Sequence, residues 1–284
     1  MTITPFLKMH GLGNDFVIFD ARLSALALDT VSARAIADRH WGIGCDQVIV
    51  LESPAEPDGV PFMRIFNPDG SESGACGNAT RCLGSLLMAE TGTSTAAVRT
   101  RAGVLPMSAV DGGAVRVNMG PVATEWSAIP LAAEMDTVSI PFSVGDLSEP
   151  TAVHVGNPHV VFFVDDVAVV PLEVLGPTIE HDPLFPERTN VQIVQIIGRD
   201  HIKVSTWERG TGITSASGSG ACAAMIGAAR RDLIDRKATV DLVGGALVVE
   251  WGTDNRVYQT GPVSHSFQGT LDIAALVAEL DQKP

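Results

Sequence analysis

Residues 75–78 read Ala-Cys-Gly-Asn, and residues 216–219 read Ala-Ser-Gly-Ser, 141 positions later. A second pair of segments shows nearly the same spacing. Gly13-Asn14 and Gly156-Asn157 are 143 positions apart, and each precedes an apolar run that ends in an aspartate. Matches in the same order at nearly one offset indicate a duplicated domain, and an internal repeat of this kind decides the fold.

A third pair of segments marks the ends of the two copies. Gly120-Pro121-Val122 and Gly261-Pro262-Val263 are again 141 positions apart. We therefore expect an N-terminal lobe over residues 1–121 and a C-terminal lobe over residues 122–266, with the segment 267–284 returning to the first lobe. The length of 284 residues agrees with two domains, since a domain of roughly 150 residues is typical.

The two copies are predicted to share one order of elements. A strand leads into a glycine-rich loop, then a helix of small apolar residues, then alternating strands. The predicted strands are Phe62–Asn67, Ala97–Arg101, Val115–Met119, Ile202–Trp207, Thr239–Val243 and Ala246–Trp251. The predicted helices are Val31–Arg39, Asn78–Glu90, Gly220–Arg231 and Leu271–Leu280, with a turn near Leu172–Leu175. We expect an α+β protein of two similar lobes with a cleft between them, in which Asn78–Glu90 and Gly220–Arg231 are buried.

Composition excludes several classes of protein. The chain carries 33 acidic and 19 basic side chains, a net charge of −14, whereas nucleic-acid binding usually goes with a basic surface. No apolar run approaches the 18 or so residues that a membrane span needs, and no secretory signal is visible at the N-terminus. The four cysteines lack the spacing of a metal site, and we expect them to be thiols in a reducing cytoplasm. No cofactor motif is recognisable, so neither a cofactor nor a metal is predicted.

Two glycine-rich loops, 67–78 and 208–220, carry residue types that could bind an anion or act in catalysis. Each ends where a helix begins, and a helix N-terminus offers unpaired backbone N–H groups and partial positive charge to an anion such as a carboxylate. The same position favours the thiolate form of a cysteine, here Cys76. The repeat sets position 217 opposite Cys76. Two such groups facing one carbon would suit removal of a proton on one face and its return on the other, as in a cofactor-free racemase.

Each of these features also has a purely structural interpretation. The loops could be ordinary turns, and Asn14 and Asn157 could adopt left-handed turn conformations. His159 could be a core histidine with satisfied hydrogen bonds, and Glu208 and Arg209 could form a solvated ion pair. The functional interpretation gains weight because polar positions follow the duplication: Asn14 with Asn157, Gln47 with Asn190, Asn67 with Glu208, and Cys76 with Ser217. Cys82 and Cys222 fall about one turn inside their helices, where we expect buried, inert thiols.

The chain resembles the diaminopimelate epimerase family, whose members use no pyridoxal phosphate and serve lysine and cell-wall biosynthesis in bacteria. The resemblance covers nearly the whole chain. It is carried by MHGLGNDFVIFD at 9–20, GIGCDQ at 42–47, NPDGSESGACGNATRC at 67–82, GNPH at 156–159, ERTN at 187–190 and WERGTGITSASGSGAC at 207–222. It implies two pseudo-symmetric lobes, each of antiparallel strands wrapped around a central helix, with the active site between them. Proline racemase-like and phenazine-biosynthesis-type isomerases share this fold.

The resemblance also implies a set of site residues and a partner. Cys76 would be one catalytic acid/base, and the backbone of Gly77-Asn78 and Gly218-Ser219 would hold the carboxylate at the reacting carbon. Asn14, Asn67, Asn157, Asn190 and Arg209 would fix the substrate, Gln47 and Glu208 would line the site, and His159 would lie nearby. The expected partner is diaminopimelate, without nucleic acid or membrane, and such an enzyme could form a homodimer.

Two positions depart from the family pattern. Ile213 stands where a glutamate is common, and Ser217 stands where a second catalytic cysteine is expected. A serine hydroxyl needs a separate activating base, and no His or Lys lies nearby in sequence. The interpretation we favour is a deliberate Cys→Ser substitution that traps an otherwise ordinary epimerase. A natural enzyme with one-base chemistry, such as elimination, and an amino-acid-binding homologue without turnover are the alternatives.

Overall fold

The computed structural model describes residues 3–280, and the chain divides into two compact units. The first unit contains the residues up to Val117 together with those from Pro262 onward, and the second runs from Asn118 to Gly261. The C-terminal segment therefore packs with the N-terminal part of the chain. Residues 281–284 of the predicted return segment lie outside the described residues.

Nineteen strands and five α-helices are assigned within residues 3–280. The strands are β1 (Ile3–Gly11), β2 (Asn14–Ala21), β3 (Gln47–Glu52), β4 (Phe62–Phe66), β5 (Glu72–Ser73), β6 (Thr95–Thr100), β7 (Gly103–Val110), β8 (Ala114–Pro121), β9 (Ser143–Val144), β10 (Leu147–Ser148), β11 (Thr151–His154), β12 (Pro158–Val164), β13 (Asn190–Gly198), β14 (His201–Glu208), β15 (Gly212–Thr214), β16 (Lys237–Leu242), β17 (Gly245–Trp251), β18 (Arg256–Gly261) and β19 (Ser264–Asp272). The helices are α1 (Thr30–Ala37), α2 (Gly77–Thr91), α3 (Leu172–Glu180), α4 (Gly218–Arg230) and α5 (Ile273–Leu280). Single 3₁₀ turns occupy Asp111–Gly113 and Val167–Val169.

The first unit is a mixed sheet around helix α2. Its strands lie side by side in the order β19, β1, β2, β3, β4, β6, β7 and β8. The pairs β2–β3 and β4–β6 are parallel, and the other pairs are antiparallel. Helix α2 packs on β1, β6 and β7, while α1 and α5 pack on each other.

The second unit repeats this arrangement around helix α4. Its strands lie side by side in the order β11, β12, β13, β14, β16, β17 and β18. The parallel pairs are β12–β13 and β14–β16. The strand register is repeated as well as the order. Phe16 pairs with Gln47, and His159 pairs with Asn190, with both partners displaced by 143 positions. An equal register in the two sheets supports a duplication of the whole unit.

The central helices are buried because their sequences are small and apolar. Cys82 and Leu83 in α2, and every residue from Gly220 to Ala228 in α4, are buried. A Cβ on Gly227 would lie 3.1 Å from the side chain of Val161, so this glycine allows α4 to approach β12 closely. Helix α2 ends at Gly92, whose φ of 66° is the left-handed conformation that glycine adopts without steric cost.

The α+β class is confirmed, and three local expectations are corrected. The sheets are mixed rather than wholly antiparallel, since helices on the connections between β2 and β3 and between β12 and β13 permit parallel pairing. The predicted turn at Leu172–Leu175 is instead a helix that continues through Gly176 and Pro177 to Glu180. Gly176 lies against Trp207, where a Cβ would be 2.4 Å from the indole ring, so the glycine serves packing. Leu271 and Asp272 extend β19 and do not begin α5.

Candidate active site

Cys76 is the N-cap of α2 and lies at the centre of the polar group in the first unit. Its Sγ accepts a hydrogen bond from the backbone N–H of Ala79 at 3.5 Å. Its carbonyl oxygen accepts from Thr80 N at 2.9 Å and from Thr80 Oγ1 at 2.8 Å. These bonds fix the thiol at the positive end of a buried helix, which is where an anion is favoured.

Two asparagines adjoin this thiol. Asn78 Nδ2 donates to Asn14 Oδ1 at 3.0 Å, and the same oxygen lies 4.0 Å from Cys76 Sγ. Asn14 Nδ2 donates in the other direction, to Asp46 Oδ2 at 2.9 Å. The guanidinium of Arg81, fully buried, donates to Asn78 Oδ1 at 2.7 Å. Hydrogen bonds therefore hold both the oxygen and the nitrogen of each carboxamide.

Charged residues behind Asn14 form a compact network. Asp15 makes ion pairs with Lys8 at 2.6 Å and with Arg39 at 2.7 Å, and Arg39 also reaches Asp46 at 2.7 Å. Burial raises the pKa of Asp15, but hydrogen bonds from Arg39 and Lys8 outweigh that effect and lower its pKa to about 2. Lys8 Nζ also donates to the carbonyl oxygen of Gly44. The network ties the loop before β3 to strands β1 and β2.

Gln47 and Asn67 form a separate polar pair in the same unit. Gln47 Nε2 donates to Asn67 Oδ1 at 3.0 Å, and Asn67 Nδ2 donates to Ser71 Oγ at 3.1 Å. Gln47 Oε1 is buried and has no hydrogen-bond partner among residues 3–280. An oxygen in that state is able to accept a hydrogen bond from a ligand.

Ser217 is the N-cap of α4 in the second unit. Its Oγ accepts from the backbone N–H of Gly220 at 3.1 Å, and only 3% of the residue is exposed. The next residue, Gly218, leaves no room for a side chain, because a Cβ there would lie 2.8 Å from Gln259 Oε1. Gln259 therefore covers the start of α4 from β18.

Asn157, His159 and Ser219 form one hydrogen-bonded group. Asn157 Oδ1 lies 2.7 Å from His159 Nε2, and Asn157 Nδ2 donates to Ser219 Oγ at 3.5 Å. On the other side of the ring, His159 Nδ1 lies 3.0 Å from Gln192 Oε1. Complete burial lowers the pKa of His159 to about 3; the Gln192 contact opposes this shift, and the nearby charges of His154 and Arg209 add to it. His159 is therefore an uncharged imidazole at neutral pH.

Asn190 and the loop at Glu208-Arg209 form the other polar group of this unit. Asn190 Oδ1 accepts from the backbone N–H of Arg209 at 3.0 Å, and its Nδ2 donates to the carbonyl of Pro158 at 2.8 Å. Arg209 Nη1 donates to the carbonyl of Glu187 at 2.6 Å, and Thr214 Oγ1 donates to Glu208 Oε1 at 2.6 Å. These bonds fix both charged side chains at the end of β14.

The structure also bears on the purely structural interpretations of the buried cysteines and of the two asparagines. Cys82 and Cys222 are fully buried, as expected, and burial raises the pKa of Cys82 to about 12, which disfavours its thiolate. Neither Asn14 nor Asn157 has a positive φ; the left-handed residues of these turns are Leu12, Gly13 and Gly156. The left-handed interpretation of the two asparagines is therefore wrong.

Three polar residues that the sequence analysis does not single out hold predicted site residues, or the loop beside them, within each unit. Asp46 holds Asn14, Gln192 holds His159, and the buried Glu180 accepts from Trp207 Nε1 at 2.7 Å and from Gly210 N at 3.0 Å. Asp46 is adjacent to Gln47, and Gln192 follows Asn190 by two positions, the spacing that sets two side chains on one face of a strand. No comparable signal marks Glu180, which lies at the end of a helix that the sequence did not predict.

Within residues 3–280, no group of three His, Cys, Asp or Glu side chains is arranged to hold a metal ion. No helix there is long and apolar enough to cross a membrane.

Comparison with known proteins identifies the family of the chain. The family model for diaminopimelate epimerase matches residues 6–125 and 151–266. A diaminopimelate epimerase from Rhodospirillum centenum is 52% identical over 98% of this chain and 96% of its own length. One from Erythrobacter litoralis is 54% identical over 94% of this chain and 97% of its own length. In fold, the chain is similar to a phenazine biosynthesis protein of the PhzF family from Enterococcus faecalis, with a TM-score of 0.69, 14% identity, and coverage of 95% and 99% of the two chains. The chain belongs to the diaminopimelate epimerase family.

Proposed function

We propose that the chain is built to convert LL-diaminopimelate into meso-diaminopimelate by two-base proton exchange at the α-carbon, without a cofactor, for lysine and peptidoglycan precursors. Membership of the family makes it an isomerase of the epimerase type. The observation that carries the finer proposal is the equivalence of Cys76 and Ser217, each an N-cap of the central helix of its unit.

Inversion of an α-carbon requires one group that takes the proton and another that returns a proton from the opposite face. Cys76 and the residue at position 217 are the proposed pair. In one direction the thiolate removes the α-proton, the electron pair enters the carboxylate as an enolate, and the other group delivers its proton to the carbon. The reverse direction exchanges the two roles.

Backbone N–H groups at the two helix starts are the proposed ligands of the substrate carboxylate. They belong to Gly77-Asn78 and Gly218-Ser219, and the dipoles of α2 and α4 favour the negative charge that grows on the carboxylate as the proton leaves. We assign substrate binding to the remaining polar residues described above: Asn14, Gln47, Asn67, Asn157, Asn190, Glu208 and Arg209, with His159 close by. Arg209 would supply positive charge for a carboxylate, and Glu208 negative charge for an ammonium group.

Ser217 makes this particular chain a weak catalyst in our proposal. An alkoxide is far harder to generate than a thiolate, and Ser217 Oγ already accepts from Gly220 N. One-base exchange at Cys76 would survive, on one stereoisomer only. Because Ser217 replaces the expected cysteine, a second candidate function remains: elimination from a different amino acid, or binding without turnover.

The decisive experiment follows deuterium from solvent into LL- and meso-diaminopimelate, with this chain and with its Ser217→Cys variant. We expect the cysteine to raise interconversion by about 10²- to 10⁴-fold, the usual contribution of one acid/base group. No gain with the cysteine would contradict the epimerase proposal. Calorimetric binding of diaminopimelate without exchange in either chain would support a binding protein, and the absence of binding would indicate another substrate.

Location and assembly complete the proposal. We place the chain in the cytoplasm, because Cys76 needs a reducing compartment to stay a thiol. We propose a homodimer, and light scattering coupled to size exclusion tests it: the mass of a monomer, 29.8 kDa, would contradict this.

A further inference from the structure

Asn14 and Asn157 are repeat-related, but their carboxamides are held by partners of opposite kind. Asn14 contacts Asp46, whose carboxylate makes an ion pair with Arg39 and can only accept a hydrogen bond. Asn14 must therefore turn its Nδ2 towards Asp46. Its oxygen then faces the start of α2, where it accepts from Asn78 Nδ2 and lies 4.0 Å from Cys76 Sγ.

The orientation of Asn157 follows from counting donors at His159. The ring lies between two carboxamide oxygens, Asn157 Oδ1 at 2.7 Å and Gln192 Oε1 at 3.0 Å, and both oxygens only accept. An uncharged imidazole has one N–H, so it can satisfy one of them. One of the two carboxamides must therefore present its nitrogen to the ring.

Gln192 is the carboxamide that turns. Its Nε2 is buried and makes no hydrogen bond within residues 3–280, while Asn157 Nδ2 already donates to Ser219. Half a turn of Gln192 gives that N–H₂ an acceptor at His159 Nδ1 and leaves a buried carbonyl oxygen, which is tolerated more readily than a buried unpaired N–H. His159 then carries its proton on Nε2 and donates to Asn157 Oδ1.

The residues that hold the two asparagines are not themselves duplicated. The position equivalent to Asp46 is Thr189, and the position equivalent to His159 is Phe16, each by the 143-residue offset. An acceptor thus holds the asparagine of the first unit, and a donor holds that of the second. The backbones of the two units are similar, but the direction of the hydrogen bond that orients each asparagine is reversed.

We propose that Asp46 and His159 are positioning residues that fix Asn14 and Asn157 in opposite senses, so that Asn14 presents an oxygen and Asn157 presents an N–H₂. Given the proposed function, on which the choice of ligand rests, the oxygen is suited to an ammonium or thiol hydrogen and the N–H₂ to a carboxylate. A fully symmetric pair would offer the same group twice. The reversed pair instead distinguishes the two charged groups of an amino acid and selects one orientation of it.

Calorimetry with LL- and meso-diaminopimelate tests the proposal on this chain, in which Ser217 slows turnover. We expect His159→Phe to weaken binding by about tenfold or more, because Asn157 loses the donor that orients it. His159→Gln keeps a donor and should retain more affinity. Asp46→Asn should weaken binding several-fold, since an amide partner lets Asn14 turn either way. Matched controls are His201→Phe, a partly exposed histidine on β14, and Asp20→Asn, a carboxylate on β2 paired with Arg22.

A second measurement separates positioning from a merely structural role. Nitrogen-15 spectra of histidine-labelled protein, with His159→Gln to identify the signal, should show His159 protonated at Nε2, unprotonated at Nδ1, and not titrating between pH 5 and 8. Protonation at Nδ1 would overturn the proposal, as would undiminished affinity in a folded His159→Phe variant. If the unmodified chain binds no diaminopimelate, the proposed function fails, while the histidine spectrum still decides the orientation of Asn157.

Discussion

Cys76 and Ser217 occupy the same place in the two units: each precedes the central helix, and each side chain accepts from the backbone N–H three residues later, on Ala79 and on Gly220. The two groups therefore share a helix dipole and a cap, and they differ in one atom, sulfur against oxygen. In the proposed mechanism, that single atom separates a competent acid/base from a poor one.

Removal of the Cys76 thiol should strongly slow epimerisation. In the Ser217→Cys background, we expect Cys76→Ala to lower the rate of epimerisation, followed by α-proton exchange, by about 10²- to 10⁴-fold, because a catalytic acid/base is lost. Cys82→Ala is the matched control, since that thiol is buried inside the same helix with a pKa of about 12. The control should lose some stability and keep its exchange rate. Equal exchange in both variants would remove Cys76 from the mechanism.

Acid should weaken the first unit through Asp15. Its pKa is about 2 in the folded chain against 3.8 ordinarily, so it contributes stability at pH values above about 4, and that contribution is lost as the pH falls through 2. Allowing for partial solvent screening, we expect Asp15→Asn to lower the free energy of unfolding by about 1–2 kcal/mol at neutral pH. The difference from the unmodified chain should shrink between pH 4 and 2.

Urea unfolding measured at several pH values checks this dependence. Asp146→Asn, at an exposed position, is the control and should change stability little at any pH. A loss in Asp15→Asn that is independent of pH would show that the ion pairs with Lys8 and Arg39 are not its source.

Glu180 should support both stability and substrate binding. Its buried carboxylate holds Trp207, Gly210 and Arg188, so Glu180→Gln replaces charge-assisted hydrogen bonds by weaker ones. We expect a loss of about 1–3 kcal/mol in unfolding free energy, together with weaker binding, because Arg209 is adjacent to Gly210. Glu173→Gln, exposed on the same helix, should change neither. Unaltered affinity in a destabilised Glu180→Gln would limit Glu180 to a structural role.

A methyl group at Gly176 should disrupt the contact between α3 and β14. The Cβ would lie 2.4 Å from the indole of Trp207, and Trp207 cannot withdraw easily because Glu180 holds its Nε1. We expect Gly176→Ala to cost about 1–3 kcal/mol of stability, despite the higher helix propensity of alanine. Gly198→Ala, whose Cβ would meet its nearest atom at 3.7 Å, is the control for thermal unfolding. Equal melting temperatures would show that the helix can shift to admit the methyl group.

The duplication allowed much of the fold to be predicted from sequence. Periodicity and repeat offsets located α2 and α4 and the strands around them, because small apolar helices and alternating strands leave strong patterns. Helix α3 was missed, since Gly176 and Pro177 resemble a helix break. Gly176 is needed for contact with Trp207, a tertiary cause that no local pattern reveals.

The residues of the candidate site were likewise predictable only in part. The sequence predicts Cys76, Asn14 and Asn157 as site residues, because the repeat pairs polar positions that a core would not duplicate, and their roles in the reaction stay predictions. Asp46 and Gln192 were not predicted, since each acts by orienting a neighbour and has no equivalent in the other copy. Their positions beside Gln47 and near Asn190 are a sequence signal for proximity, but their orienting contacts become visible only when donors and acceptors are counted atom by atom.

The pairing of β1 with β19 has a consequence for biosynthesis. The second unit is continuous in sequence, whereas the first is completed by residues 264–272, which are synthesised after the whole of the second unit. During translation β1 is an open sheet edge, and the apolar residues of α1 lack α5 as a cover. The half made first is thus the half finished last, and a ribosome that stalls before Ser264 would release a chain prone to aggregation at its own N-terminal strand.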